Sequence, residues 1–399
     1  MRRIPKTVWA LGFVSLFMDV SSEMVHSLLP LFLVTVLGAS ATRVGVIEGV
    51  AEGTALIVKI FSGALSDWLR NRKSLAVLGY TMGALSKPLF ALASTANLVF
   101  AARFIDRVGK GIRGAPRDAL IADVTPPEIR GAAFGLRQSL DTVGALLGPL
   151  LALLLMRVSG GDYRAVFWAA AAPGILAVTL LMVMVKEPGT AVAKPARAAR
   201  PPIRRGEIRD LEVRFWIVVA FGALLSLARF SEAFLLMRGQ STGMDPATVP
   251  ILMALMNAVY FLTAYPAGRL SDRIGRDGLL AAGIAALVLA DVALAAAVRP
   301  WHVGAGVALW GLQMGLTQGI FSALIADTAP PELRGTAFGL FNLAGGLATV
   351  GASLVAGLAW DRFGAPATFL AGAAFAAGAL ILFAALRKSP GFVRRKPQA

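Results

Sequence analysis

The chain has no cysteine among its 399 residues and only two histidines. The lack of cysteine excludes disulfide bonds, thiolate metal sites and cysteine nucleophiles. Charged residues are also scarce, at 16% against about 25% in ordinary soluble proteins, whereas 57% of the residues are hydrophobic. Together with a mean hydropathy of +0.70, this composition excludes a cytosolic enzyme and a disordered chain. It indicates a protein embedded in a lipid bilayer.

Long hydrophobic segments account for this composition. A helix that crosses about 30 Å of hydrocarbon needs roughly 20 residues, and twelve segments of suitable length can be identified. They lie at residues 8–36, 43–65, 73–94, 97–121, 131–156, 163–185, 213–236, 246–267, 278–298, 301–326, 334–358 and 365–386. We therefore predict an all-α membrane protein of two six-helix bundles, at residues 1–185 and 213–399. Residues 186–212, rich in Pro, Ala and Arg, predict a cytoplasmic linker between them.

Positive charge is distributed unevenly between the two sides of these spans. Of the 39 Lys and Arg residues, twenty-four lie on the side of the two termini, six lie on the other side, and nine fall within spans. The positive-inside rule therefore predicts cytoplasmic termini, including a cytoplasmic C-terminal tail, in a multi-pass protein of the inner (cytoplasmic) membrane. The net charge of +16 then follows from topology, so we expect no nucleic-acid partner.

The N-terminal segment resembles a secretory signal only superficially. Residues Met1–Lys6 are basic and precede a hydrophobic run, as in a signal peptide. However, the run is about twice as long as the hydrophobic region of a signal peptide, and it contains Asp19 and Glu23. We therefore interpret it as the first span of the chain.

The sequence contains an internal repeat. The segment Ala119–Gly131 (ALIADVTPPEIRG) returns 204 residues later as Ala323–Gly335 (ALIADTAPPELRG), and Gly63–Asp67 (GALSD) returns 205 residues later as Gly268–Asp272 (GRLSD). A duplication of six spans explains both offsets, and because six is an even number, both copies have the same orientation. This arrangement is typical of transporters with a site at the middle of the membrane between two related halves.

The repeated motifs carry a resemblance to a known family. Gly268–Arg276 (GRLSDRIGR) closely matches the cytoplasmic loop motif of the major facilitator superfamily, and Gly63–Lys73 is a weaker copy of it. With twelve spans and a central linker, the whole chain resembles a transporter of this superfamily. The resemblance implies a gate at the two motif loops, although the loops could also serve only to set topology. The candidate gate residues are Gly63, Asp67, Gly268, Asp272 and Arg273.

The fifth span offers a hint about the subtype. Gly144–Pro149 (GALLGP) resembles the glycine-proline motif of proton-linked drug exporters in the same superfamily, but Ala152 and Leu153 stand where that motif has a glycine pair. Close packing of helices through small residues, together with a tolerated proline, explains the same segment equally well.

The fourth span carries seven charged residues, although each costs at least about 2.5–3.5 kcal/mol inside a membrane. They recur at spacings of three and four and share a helix face roughly 140° wide. These residues are Arg103, Asp106, Arg107, Lys110, Arg113, Arg117 and Asp118. The corresponding positions of the tenth span are uncharged, so folding alone does not require the charges. We expect this face to line a cavity.

The charged face defines a predicted substrate site. The resemblance implies that the first, fourth, seventh and tenth spans surround the substrate path. The candidate substrate-binding residues are Arg103, Arg107, Lys110 and Arg113 in the fourth span and Trp310 and Gln313 in the tenth. Two alternatives remain open: the side chain of Arg113, like that of Arg117, could extend to the cytoplasmic surface, and Trp310 and Gln313 could serve ordinary interhelical packing.

Carboxylates inside the N-terminal spans are candidates for proton coupling. Burial disfavours an ionised carboxylate and nearby cations favour it, so occupancy by a proton or by substrate can alternate. The candidates are Asp19, Glu23, Glu52, Asp106 and Asp141, of which Asp19 and Glu23 are the strongest. A permanent structural salt bridge is the alternative for each. Seven acids and eight bases nearly balance within these spans, so the charge of the substrate stays open.

These observations predict a monomeric secondary transporter that exports a small organic compound by proton-coupled antiport and alternating access, with no cofactor and no bound metal. Three alternatives remain: uptake or exchange of a small organic anion, export of a divalent metal through Asp19, Glu23 and His26, and an intramembrane enzyme that uses the same acids and bases. The duplicated scaffold argues against an enzyme. Gly109–Gly114 matches a dinucleotide-binding pattern, but it lies inside a span with no preceding strand.

Overall fold

The computed structural model describes residues 4–69, 71–186, 211–274, 276–329 and 333–387. Helices dominate this part of the chain, and it contains no β-strand. The predicted linker falls almost entirely outside these ranges, so the predicted domain boundaries stay a prediction. The chain divides into two compact units. The first comprises Met1–Ala39, Val50–Pro202 and Asp245–Ala254, and the second comprises Ser40–Gly49, Ile203–Met244 and Leu255–Ala399.

Each predicted span is mostly helical in the described part of the chain. In the first half of the chain the helices are α1 (Lys6–His26), α2 (Leu29–Leu31), α3 (Ala41–Leu69), α4 (Arg72–Leu92), α5 (Ala96–Val124), α6 (Arg130–Val158) and α7 (Tyr163–Met184). In the second half they are α8 (Val213–Ala228), α9 (Ala233–Ser241), α10 (Pro250–Ile274), α11 (Arg276–Ala295), α12 (Pro300–Thr328), α13 (Arg334–Phe363) and α14 (Ala365–Arg387).

Nine helical stretches in the described ranges are long and apolar enough to cross a membrane. They are Lys6–Val36, Arg72–Leu92, Pro127–Val158, Tyr163–Met184, Val213–Ser241, Pro250–Ser271, Asp277–Ala295, Thr336–Phe363 and Ala365–Ala385. Helix α5 is as long as a span but is not among them, because charged residues recur along most of its length. The all-α prediction is confirmed for the described residues, while the number of twelve spans stays a prediction.

The first and seventh predicted spans are each interrupted. Helix α1 ends at His26, and the chain continues through α2 into a π-helical turn at Phe32–Val36. Pro30 explains the first break, because proline has no N–H to donate to the carbonyl of His26. No Gly or Pro marks the second break, between α8 and α9. There the Ser231 N–H donates to the Ser353 hydroxyl at 3.2 Å, so a contact with α13 satisfies a group that the helix leaves unpaired.

Within the first unit, α1 packs against α4, α6 and α7, and α4 packs against α5 and α7. Glycine permits the closest of these approaches. A Cβ added at Gly79 of α4 would lie 2.6 Å from the Gly109 carbonyl oxygen of α5. The second unit has the corresponding contact, since a Cβ at Gly283 of α11 would meet the Thr317 methyl of α12 at 2.5 Å. The two units therefore repeat a packing contact as well as a sequence.

The repeat also extends to the turns. Gly38 follows the first span and Gly243 follows the seventh, 205 residues later. Both have a positive φ, of 64° and 88°, a conformation that glycine adopts without steric penalty. The same turn geometry thus ends the corresponding element of each half.

Candidate functional site

Asp106 is the centre of a buried group of charges in the first unit. Its Oδ1 lies 2.7 Å from the Lys87 Nζ of α4, and its Oδ2 lies 2.8 Å from Arg107 Nη2 and 3.8 Å from Arg103 Nη1. The exposed fraction of each of these four side chains is 2% or less. Ser86 donates to the same carboxylate at 3.3 Å. Charges buried this deeply persist only when they are paired, as these are.

Glu52 of α3 completes this group, which we call the arginine cluster (Glu52, Lys87, Arg103, Asp106 and Arg107). Its Oε1 lies 3.0 Å from Arg107 Nη1 and 3.5 Å from Arg103 Nη2. Unlike the other members, the Glu52 side chain is 32% exposed. The arginine cluster thus joins α3, α4 and α5, and Glu52 is its accessible member.

The remaining predicted substrate residues of α5 differ in environment. Lys110 is exposed, whereas Arg113 is buried. The Arg113 guanidinium lies over the Tyr80 ring, 4.9 Å from its centroid, which is the geometry of a cation–π contact. Its Nη1 has no hydrogen-bond partner among the described residues. The Arg113 side chain therefore packs against α4 rather than extending to the membrane surface.

A second group of charges lies further along α5, where Arg117 and Asp118 face Arg137 and Asp141 of α6. Arg137 pairs with Asp141 one turn away, and Arg117 Nε donates to Asp118 at 3.1 Å. Across the helices, Arg137 Nε lies 3.8 Å from Asp118 and Arg117 Nη1 lies 4.0 Å from Asp141. Arg117 also donates to the Ser15 hydroxyl of α1 at 2.9 Å. These contacts bring Asp141 of α6 to the charged face of α5.

The two strongest proton-coupling candidates lie where α1 packs most closely on α6. A Cβ at Gly144 would come within 3.0 Å of the Asp19 Cβ, and a Cβ at Gly148 would come within 2.5 Å of the Glu23 Cβ. Glu23 Oε2 also lies 3.5 Å from His26 Nδ1. The glycines of the α6 motif therefore have a packing role here, and they position the helix segment that carries both acids.

In the second unit, Trp310 and Gln313 are buried in α12, at 2% and 0% exposure. The indole N–H of Trp310 donates to Asp291 Oδ1 of α11 at 2.9 Å, so this donor is already used within the protein. Asp291 Oδ2 and Gln313 Nε2 have no hydrogen-bond partner in the described part of the chain. The binding role of Trp310 and Gln313 stays a prediction.

The candidate gate residues are only partly described. The backbone at Asp67, Asp272 and Arg273 is helical, but their side chains lie outside the described part. A Cβ at Gly63 would make ordinary contact with Ala115 of α5 at 3.5 Å, whereas a Cβ at Gly268 would meet no described atom within 4 Å. The gate stays a prediction.

The structure adds two ionisable residues to which the sequence had assigned no role, Lys87 and Asp291. The signal was present, because an ionisable side chain within a predicted span indicates a functional or paired site. Their partners, Asp106 and Trp310, could not be read from spacing along one helix. Among the described residues, no group of three or more His, Asp or Glu side chains is arranged to hold a metal ion.

Comparison with known proteins establishes the class. A model of the Major Facilitator Superfamily matches residues 11–349, and it also matches residues 227–399. The chain is thus a membrane transport protein with multiple helices. It belongs to the Major Facilitator Superfamily, whose members carry small molecules and are not enzymes, as the resemblance implied.

Similar proteins include transporters of known and unknown substrate. An uncharacterised MFS-type transporter of Methanocaldococcus jannaschii is 32% identical over 392 residues, covering 96% of each chain. Multidrug resistance protein MdtH of Photorhabdus laumondii is 26% identical, covering 87% of this chain and 84% of that protein. The crystal structure of a D323A mutant of the nucleoside transporter NupG aligns with a TM-score of 0.79 at 16% identity, covering 96% of this chain and 100% of that one. This last likeness concerns the fold alone.

Proposed function

We propose that the protein exports a small organic compound in exchange for protons. The observation that carries this proposal is the arginine cluster with its one accessible carboxylate, because buried charges are retained in a span mainly where they face a substrate or ion path. Export is favoured by the similarity to a multidrug resistance protein. The two halves would alternate access to a site near the middle of the membrane.

In this proposal the residues have separate roles. Arg103, Arg107, Lys110 and Arg113 bind the solute from α5, and Trp310 and Gln313 contribute from α12. Asp19 and Glu23 carry protons, with Glu52, Asp106 and Asp141 as further candidates. Gly63, Asp67, Gly268, Asp272 and Arg273 form the gate. The protein acts as a monomer in the inner membrane, with both termini in the cytoplasm.

Proton coupling is tested in proteoliposomes with an imposed pH gradient. The variants Asp19→Asn and Glu23→Gln remove an ionisable group and keep the side-chain shape, so we expect gradient-driven flux to fall while downhill exchange persists. Glu212→Gln is the matched control, because Glu212 is exposed and its side chain makes no capping hydrogen bond. Unchanged gradient-driven flux in both variants would remove Asp19 and Glu23 from this role.

Solute binding is tested by thermal-shift screening of purified protein against diverse organic compounds, since a ligand that binds the folded state raises its melting temperature. We expect Arg107→Ala and Lys110→Ala to abolish the stabilisation while the helical content of the protein is retained. Wild-type affinity in both variants would refute the α5 face as a binding surface.

A second candidate function is uptake or exchange of a small organic anion. The arginine cluster favours it, because three cations face two carboxylates there. The sign of charge movement during flux separates the two functions. Recovery of the solute chemically unaltered would separate both of them from an intramembrane reaction.

A further inference from the structure

The arginine cluster has one buried carboxylate and one accessible carboxylate. Asp106 is sealed among Lys87, Arg103 and Arg107, with 2% of its side chain exposed. Glu52 contacts the same two arginines, but 32% of its side chain is exposed. Glu52 is therefore the member of this cluster that another molecule can contact most directly.

The two arginines present a prepared site to the Glu52 carboxylate. Arg103 and Arg107 are four residues apart on α5, so their side chains project from the same helix face. Arg107 uses Nε and Nη2 for Asp106, at 3.0 and 2.8 Å, and this leaves Nη1 for Glu52. Arg103 Nη2 is directed at the same Glu52 oxygen. The two guanidinium groups therefore converge on one carboxylate oxygen.

The charge of the cluster decides what could replace Glu52. Three cations and two carboxylates leave one formal positive charge, and removal of Glu52 would leave two. A neutral or cationic group in this position would leave Asp106 to balance all three buried cations of the cluster, which is unfavourable. A carboxylate would restore the same charge-assisted hydrogen bonds.

We infer that Glu52 occupies the position of a substrate carboxylate, and that the transported compound is a carboxylate-bearing organic solute that displaces Glu52 from Arg103 and Arg107. This inference rests on the proposed function and specifies its substrate class. Glu52 gives both arginines a second carboxylate partner beside Asp106 while no substrate is bound. The corresponding residue of the second half, 205 positions later, is Asn257. The pairing of a glutamate with the two arginines therefore belongs to the first half alone.

Chemical rescue tests the exchange directly. Glu52→Ala leaves a carboxylate-sized space beside the arginines, and we expect its melting temperature in detergent to fall. Sodium acetate should then raise the melting temperature of this variant by about 2 °C or more, whereas acetamide or sodium chloride at equal ionic strength should not. Glu52→Gln fills the same space with a neutral amide, so it is the matched control and should show no rescue by acetate.

The absence of rescue by acetate would contradict the inference. If acetate stabilises Glu52→Ala no more than sodium chloride does, the arginines do not accept a free carboxylate and the inference fails. Should Glu52→Ala prove too unstable to purify, Glu52→Ser leaves most of the same space and serves for the same measurement.

A paired solute screen tests the substrate class independently of transport. Carboxylates and their carboxamides, such as benzoate and benzamide, are compared by thermal shift on the wild type and on Arg107→Gln. We expect stabilising solutes to be carboxylates, and their affinity to fall at least tenfold in Arg107→Gln. If the stabilising solutes are all neutral or cationic, the inference is overturned while export of an organic compound still stands. Failure of proton-driven flux would overturn the proposed function and leave acetate rescue unaffected.

Discussion

Gly148 and Glu23 are so closely packed that a Cβ on the glycine would lie 2.5 Å from the Cβ of the glutamate. The same substituent would lie 3.0 Å from the Val20 carbonyl oxygen and 3.2 Å from the Met24 nitrogen. Helix α6 therefore contacts the backbone of α1 directly at the turn that carries Glu23. A motif that resembles part of an exporter signature thus has a mechanical role beside a candidate proton carrier.

We expect Gly148→Ala to destabilise the protein by about 1–3 kcal/mol, because an added methyl group in a packed interface forces the helices apart. The matched control is Gly135→Ala in the same helix, where an added Cβ would meet nothing within 4 Å. That control should be neutral or stabilising by up to about 1 kcal/mol, since alanine is the better helix former. Denaturation in detergent measures both. Equal effects of the two substitutions would show that α1 and α6 can move apart at Gly148 without loss of stability.

Within the arginine cluster, we expect loss of the Asp106 carboxylate to cost more stability than loss of the Lys87 ammonium group. Asp106→Asn removes the one carboxylate that contacts all three buried cations of the cluster, so we expect a loss of about 3–5 kcal/mol. Lys87→Met should cost less, because Asp106 keeps Arg103 and Arg107 as partners. Melting temperatures of the two purified variants give the order. A larger loss for Lys87→Met than for Asp106→Asn would contradict the central position of Asp106.

The Trp310–Asp291 hydrogen bond predicts coupling between α11 and α12. Trp310→Phe removes the only described donor to the fully buried Asp291 carboxyl group, and a typical hydrogen bond contributes about 0.5–1.5 kcal/mol to stability. Phe is also smaller than Trp, so the packing loss must be separated from the hydrogen bond. A double-mutant cycle with Asp291→Leu does this, because the packing loss is common to both backgrounds.

We expect a coupling energy of at least about 1 kcal/mol in this cycle, measured by unfolding of the four proteins. If the costs of the two single substitutions simply add in the double variant, the Trp310–Asp291 hydrogen bond contributes nothing to stability.

The natural absence of cysteine makes the predicted orientation directly testable. Ser159 lies exposed between α6 and α7, and Glu212 lies exposed immediately before α8. If the termini are cytoplasmic, a membrane-impermeant maleimide added to intact cells should label Ser159→Cys and should label Glu212→Cys only after permeabilisation. The unmodified chain is the control and should remain unlabelled. The reverse pattern would place the termini outside and overturn the orientation drawn from the positive charges.

The sequence predicted the helices because the signal for them is local. A helix in a membrane must satisfy its own backbone hydrogen bonds and bury its apolar side chains, so a hydrophobic run of sufficient length is itself informative. The duplication was equally readable, and the paired turns at Gly38 and Gly243 follow from it. The break before α9 was not readable, because Arg229–Glu232 contains no helix-breaking residue and the stabilising partner, Ser353, lies more than 100 residues away.

For the candidate site, too, the sequence determined some features and the tertiary structure decided others. The spacing of Arg103 and Arg107 determined by itself that both project from one face of α5, since helical geometry depends only on position along the chain. Which carboxylate each arginine meets was decided by tertiary structure, which brings Glu52 from α3 and Lys87 from α4 to that face. The same holds for Trp310, whose N–H is directed at Asp291 by the packing of α11 on α12. Electrostatic pairing depends on distance in space, and a single sequence records only distance along the chain.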